Sequence, residues 1–151
     1  MKIGLDIAKR MGVAVLAGPN RIDTIAFSGT AQEQYNFLYG FLGDMTGSMF
    51  YVEKLNHFVN ANTTRSLLLR TGYIVGSLEN WLCGIQYVIA TQARKYQGVK
   101  TKLETQALFP GISQDEADAV VVLLYGLKRK HTEFEIRGID ASKNIFWIPD
   151  K

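Results

Sequence analysis

Four acidic side chains stand where acids are uncommon. In "KIGLDIA" (2–8), Asp6 sits in a run whose Ile3, Leu5 and Ile7 alternate, a strand pattern in which aspartate is depleted. Glu53 lies near the end of the aromatic and β-branched run "SMFYVEKL" (48–55). In "SQDEADAVVV" (113–122), Asp115 and Asp118 stand three positions apart, and Asp118 is followed by Ala119, Val121 and Val122. Aspartate is a poor residue for a helix interior, and a buried carboxylate is costly unless paired. Ser113 and Glu116 have the spacing of a capping box, and Asp115 would favour the positive start of a helix. Asp118 lies beyond the cap, so capping does not explain it.

Residues at i and i+3 share a helix face, with β-carbons about 5–6 Å apart. If the strand bearing Glu53 lies beside the one bearing Asp6, and the last helix packs nearby, four carboxylates converge. Such a cluster repels itself and takes up either protons or cations. Magnesium prefers oxygen ligands, and two such ions about 3.5–4 Å apart can clamp the attacking and leaving oxygens of a phosphodiester. Taken singly, Asp6 could pair with Lys2 or Lys9, and Glu53 could be a solvated strand end. The joint pattern is what points to a metal site.

The elements that must position these acids follow from periodicity. "KIGLDIA", "MGVAVLAG" (11–18) and "RIDTIAF" (21–27) read as strands with tight connections, hence an antiparallel meander. A helix over 31–45 follows, then the strand at 48–55. The longest helix is predicted over 63–84, with Thr63 or Thr64 as N-cap. A strand over 85–91, short helical pieces in the basic stretch 92–109 and a last helix over 113–130 complete the pattern. The remaining tail is weakly patterned, with room for a short strand. The order implies an α/β fold: a mixed five-stranded sheet, three antiparallel strands then parallel ones, with helices on both faces.

The chain of 151 residues, 47% hydrophobic and 21% charged, is expected to form one domain over 1–151 with a genuine core. The single Cys83 excludes an internal disulfide framework. The first ten residues carry an acid within their apolar run and do not read as a signal peptide. The apolar stretch from Leu67 to Leu82 is broken by Arg70 and Glu79, too charged to span a bilayer. No membrane association is expected, and an intracellular, cytoplasmic protein is. The net charge of +3 permits an anionic partner.

"IGLDIAKRMGVAVL" from Ile3, "FYVEKL" ending at Leu55 and "SQDEADAVVVLLYGL" from Ser113 resemble, in order and spacing, the RuvC-type Holliday-junction resolvases of the ribonuclease H-like superfamily. The Asp-x-x-Asp-Ala opening of an apolar helix is the most specific block. The resemblance implies an endonuclease of DNA recombination and repair that hydrolyses phosphodiesters at branched DNA. Four-way junctions are the expected substrate, with forks and flaps in reach of a looser debranching enzyme. It implies two Mg²⁺ ions, replaceable by Mn²⁺, held by Asp6, Glu53, Asp115 and Asp118. One ion would help generate hydroxide and the other would stabilise the leaving 3′ oxygen. Lys102 matches the family's lysine before the final helix and would stabilise phosphate charge, with Lys95 or Lys100 as a second.

Family members often carry glycine or proline soon after the first aspartate. This chain reads "DIAKR", so Lys9 and Arg10 would contact DNA there. Lys54, Arg94, Lys95, Lys100 and Lys102 extend the expected DNA-binding set. The "KRKH" at 128–131 is read as complementing a helix C-terminus. Phe58 is the nearest match to the family's junction-opening aromatic. The resemblance also implies a homodimer through the long helix, where Gly72 and Gly76 stand four apart near Tyr73 and Trp81. The family's compact members would suit a virus or phage as well as a cell. Two other classes stay open: a non-catalytic branched-DNA-binding protein that kept the fold, and an actin-like or sugar-kinase-like ATP-binding domain. The latter would need a phosphate loop after the first aspartate, which "DIAKRMG" lacks.

Overall fold

The computed structural model describes residues 1–54 and 60–143. Strands β1 (Lys2–Asp6), β2 (Arg10–Gly18) and β3 (Arg21–Ser28) form the antiparallel meander. Helix α1 (Ala31–Leu42) leads to β4 (Met49–Glu53), which pairs in parallel with β1. Helix α2 (Ala61–Glu79) leads to β5 (Gly84–Val88), parallel to β4. Helices α3 (Ala90–Tyr96), α4 (Lys102–Leu108) and α5 (Gln114–Leu127) follow. The described chain then gives β6 (Glu135–Gly138), parallel to β3, between two 3-10 turns at His131–Glu133 and Ala141–Lys143. The sheet order is β5-β4-β1-β2-β3-β6.

Among the described residues the sheet thus has six strands rather than the five expected. The extra one is the short strand for which the tail left room. At four residues it is brief for its alternation to stand out, and tertiary contacts hold it. Ile136 packs on the apolar cluster that contains Ile22, and Arg137 donates two hydrogen bonds to the buried Asp23 carboxylate, at 3.1 and 3.0 Å.

Helix ends also differ from the expected ranges. Asn60, not Thr63 or Thr64, caps α2, its side chain accepting from the Thr63 N–H at 2.8 Å. Periodicity alone hides such a cap, because the first turn of this helix carries no apolar stripe. At its far end α2 stops at Glu79 rather than running to residue 84, and Leu82 takes a left-handed φ of 57° in the turn to β5. Helix α1 ends at Leu42 because Gly43 follows with a φ of 73°, the conformation glycine supplies at a helix end. Asn60 and Ser113 each place a side-chain oxygen on a backbone N–H of the first turn, and Ser113 and Glu116 form the reciprocal capping box expected of them.

Side chains alternate along a strand, so each strand divides between two layers. Ile3, Leu5, Phe50 and Val52 pack with Leu38 and Phe41 of α1 and Ile74 and Leu78 of α2. The opposite face carries Ala14, Ile22 and Tyr51 under Ala119, Val120, Leu123 and Leu124 of α5. Helix α5 is buried on nearly every side, since the sheet lies beneath it and α3 and α4 flank it. That explains its near-continuous apolar run. Among the described residues no helix is long and apolar enough to cross a membrane.

Candidate active site at the carboxyl ends of the central strands

The parallel register of β1 and β4 pairs Leu5 with Val52, so Asp6 and Glu53 fall next to each other at the strands' carboxyl ends. Alternation puts both on the α5 side of the sheet, with Gly4 and Tyr51. Two glycines let α5 come down onto this spot. A β-carbon on Gly4 would collide with the Ala119 carbonyl oxygen, and one on Gly12 with that of Asp115. Gly12 is also the residue paired with Asp6 across β1 and β2. Sequence reading passed over both, although glycine inside a strand is a signal of close backbone approach.

The acids differ in their surroundings. Asp6 is only 8% exposed. Burial raises its pKa well above the ordinary carboxylate value, the Glu53 charge and a hydrogen bond to Glu53 raise it further, and the Asp118 and Asp115 charges add to this. Neither Lys2 nor Lys9 forms an ion pair with it among the described residues. Asp118 is 5% exposed, and its pKa is pushed up to about 6. Burial is the main cause; Lys102 pulls it down, Glu53 pushes it up, Arg94 pulls it down and Asp115 pushes it up. The nearest cation is the Arg94 guanidinium at 4.0 Å. That pair alone would lower the value, but at 4.0 Å it does not offset the loss of water. Asp115 is half-buried and meets Arg10 at 3.4 Å.

An open cleft of about 260 Å³ lies over the pair, lined by Asp6 and Glu53 and by the cations Lys54, Arg94 and Lys102. Leu67 and Thr71 of α2 form an uncharged wall. Lys102 is the first residue of α4, exposed, with Thr101 capping that helix behind it. The structure therefore brings Asp6, Glu53, Asp118, Lys102 and Lys54 to one place, with Asp115 at its margin. Lys9, Lys95 and Lys100 are exposed and do not line the cleft.

Arg94 sits differently from a surface phosphate contact. Its side chain is only 12% exposed, its Nε is buried without a hydrogen-bond partner among the described residues, and it faces Asp118. The run "ARKYQ" does not reveal which of its cations turns inward; that depends on α3 packing against α5. Phe58, proposed to act on junction bases, lies outside the described residues, as does Leu55. Trp81 faces inward, donating its indole N–H to the Tyr35 hydroxyl at 2.8 Å and packing on Tyr39. Among the described residues nothing stands within 4 Å of a β-carbon built on Gly72 or Gly76, so these glycines serve no close packing within that part of the chain.

The donors at this centre are carboxylate oxygens, the set a hard divalent cation takes. Among the described residues, no three acids, histidines or cysteines are gathered tightly enough to hold a metal ion as they stand. Asp115 and Asp118 lean toward arginines, while Asp6 lies against Glu53, whose charge favours the protonated form of Asp6.

No protein-family model matches the sequence, and no curated protein matches it. Solved structures do share its fold. Thermus thermophilus RuvC in complex with a Holliday junction substrate aligns with a TM-score of 0.62 at 12% identity, over 81% of this chain and 88% of that chain. A second T. thermophilus RuvC structure aligns with a TM-score of 0.56 at 12% identity, over 81% and 90%. The fold is that of the RuvC-type, ribonuclease H-like proteins.

Proposed function

We propose that this protein is a divalent-metal-dependent endonuclease that cuts branched DNA, with the four-way junction as its substrate, and that it acts as a homodimer. The observation that carries this reading is the meeting of Asp6 and Glu53 at the carboxyl ends of adjacent parallel strands, under a cleft whose rim is lined by Lys54 and Lys102. An acid centre inside a cationic rim suits a phosphodiester: the rim draws the polyanion and the acids hold cations at its charge. The fold likeness to RuvC supports the choice of branched DNA.

In this reading Asp6, Glu53 and Asp118 hold the cations, and Asp115 joins them by releasing Arg10. Bound divalent ions would supply the Lewis acidity that activates water and offsets charge on the leaving oxygen. The protein's own groups do the rest. Asp6 gives up the proton that burial and its acidic neighbours favour. Lys102 lies against the scissile phosphate as a point charge. Arg94 keeps the Asp118 carboxylate aimed at the cleft. Leu67 and Thr71 restrict water on one wall.

One observation favours a second reading. Asp115 and Asp118 each face an arginine, as they would in a branched-DNA-binding protein without catalysis. Incubating the protein with a labelled four-way junction, with Mg²⁺ and with EDTA, separates the two. Paired symmetric nicks in Mg²⁺ alone are expected; tight binding with intact strands in both buffers would establish the non-catalytic protein.

The dimer has its own test. Leu68 and Leu69 are 53% and 65% exposed and Tyr73 is 44% exposed on α2, beside the open Gly72 and Gly76. A dimer at micromolar concentration is expected by sedimentation, and Leu69→Glu should shift it to monomer. A monomeric wild type that still makes paired nicks would remove this interface from the proposal.

A further inference from the structure

Helix α3 leads from the cleft to a second cluster of positive charge. Thr91 and Arg94 line the cleft, and Lys95 and Tyr96 follow. The Lys130 ammonium lies 3.8 Å from the Tyr96 ring centroid, and the Lys128 ammonium lies 3.5 Å from that of Tyr125. The two rings meet edge to face at 5.9 Å, so both ammoniums rest on one aromatic pair. Neither is ion-paired with a carboxylate among the described residues. The nearby Glu133 is already engaged, by Arg129 at 3.2 Å and by the Lys130 backbone N–H at 2.8 Å.

Complementing the end of α5 does not account for these lysines. The last carbonyls of the helix are met by backbone groups: the Lys128 N–H donates to Tyr125 at 3.2 Å and the Arg129 N–H to Leu124 at 3.1 Å. Lys128 itself takes a left-handed φ of 57°, where glycine is the favoured residue. Lysine stands here at a backbone position that favours glycine, with its charge directed onto a ring. The Lys130 ammonium also donates to the Tyr96 backbone carbonyl, and two cations held on adjoining rings present a positive surface that a polyanion would neutralise.

Resting on the nuclease reading above, we infer that Lys128 and Lys130, seated on Tyr125 and Tyr96, form a second phosphate-binding site for the same DNA. Tyr125 follows Asp118 by two turns of α5, roughly 10 Å, and phosphates of one strand advance about 3.4 Å each along a duplex. For a strand laid along α5, the lysines grip the backbone about three nucleotides from the cut.

The test measures binding of a labelled four-way junction in EDTA across a series of KCl concentrations. Lys128→Gly combined with Lys130→Gln removes both charges while giving the left-handed position its preferred residue, so folding is preserved. The slope of log affinity against log salt should fall by about 2, at roughly 0.9 for each phosphate released. Lys2→Gln, at the opposite end of β1 from Asp6, should leave the slope unchanged. A single methylphosphonate about three nucleotides from the cut should weaken wild-type binding and leave the double variant indifferent. A double variant with the wild-type slope overturns this site alone. A wild type that binds no junction overturns the nuclease reading with it.

Discussion

Two aspartates are buried in strands of the same sheet, and they live in opposite surroundings. Asp23 of β3 is fully buried, and guanidinium groups surround it: Arg137 donates to both its oxygens and Arg21 approaches at 3.2 Å. Asp6 of β1 is nearly as buried, and its neighbours are Glu53, Asp118 and Asp115. The first arrangement is complete. It fixes β6 to the sheet edge and asks nothing of the solvent. The second is incomplete, since a carboxylate among carboxylates needs a proton or a cation. Asp118 stands between the two cases, with Arg94 and Lys102 on one side and Glu53 and Asp115 on the other. A buried acid is thus no mark of function by itself. What it faces decides.

Exchanging each acid for its amide gives the largest contrast. Asp6→Asn should abolish junction cleavage, by at least about a thousandfold or ~4 kcal/mol of barrier, with binding and melting temperature kept. Asp23→Asn should do the reverse. It removes the charge that holds the Arg137 and Arg21 guanidiniums, and because these are themselves partly exposed the cost is about 2 kcal/mol, lowering the melting temperature by roughly 4–8 °C, while turnover per folded molecule holds. Near-normal turnover in purified Asp6→Asn would dissolve the distinction.

The next effect is smaller and concerns Asp118. Cations that bind only the folded protein stabilise it by mass action, by about 2.7 kcal/mol at a hundredfold excess over their dissociation constant. Millimolar Mg²⁺ or Mn²⁺ should therefore raise the wild-type melting temperature by several degrees. In Asp118→Asn that rise should shrink. In EDTA above pH 7 the variant should be at least as stable as wild type, because the raised pKa of Asp118 means that its surroundings disfavour the charge despite Arg94. Marked destabilisation in EDTA, with no response of the wild type to Mg²⁺, would place Asp118 with Asp23 as a structural acid.

Much of this contrast was legible in the sequence, and the illegible part has a consistent physical cause. The meander, the parallel β4 and the capped final helix follow from local periodicity and turn chemistry, so the adjacency of Asp6 and Glu53 could be anticipated. Asp118 stood out because an acid interrupts an apolar helix. Asp23 did not stand out, because "RIDTIAF" reads as an ordinary amphipathic strand and its partner Arg137 lies far along the chain. The inward turn of Arg94 was hidden for the same reason. Whether a cation of α3 faces solvent or Asp118 is settled by tertiary packing, which pattern does not encode. The glycines were readable but unread: Gly4 and Gly12 flank the acid position in a strand and its neighbour, where close approach of another backbone is the usual reason for them.

The smallest effect, and the sharpest test of how Asp6 and Asp118 differ from Asp23, is the pH dependence of stability. Both site acids have raised folded-state pKa values. An acid raised on folding binds more protons in the folded chain than in the unfolded one, so its stabilising contribution is full below the ordinary carboxylate value and is lost as pH rises. For Asp118 that loss falls between about 4 and about 6, and Asp6 acts in the same direction. Metal-free protein should therefore lose stability from these groups as pH rises through this window. Mg²⁺ should then restore more than it does in acid. At pH 5, roughly one unit below the raised value, the ion must displace a proton from Asp118, which weakens its binding by about tenfold, or ~1.4 kcal/mol. Melting curves at pH 5 and pH 7.5, with EDTA and with Mg²⁺, should show a metal-induced rise that is larger at pH 7.5, and in Asp118→Asn the difference between the two pH values should narrow. An equal Mg²⁺ effect at both pH values, in wild type and variant alike, would mean that no cation competes with protons at these acids, and that the difference between Asp6 and Asp23 is one of burial and pairing alone.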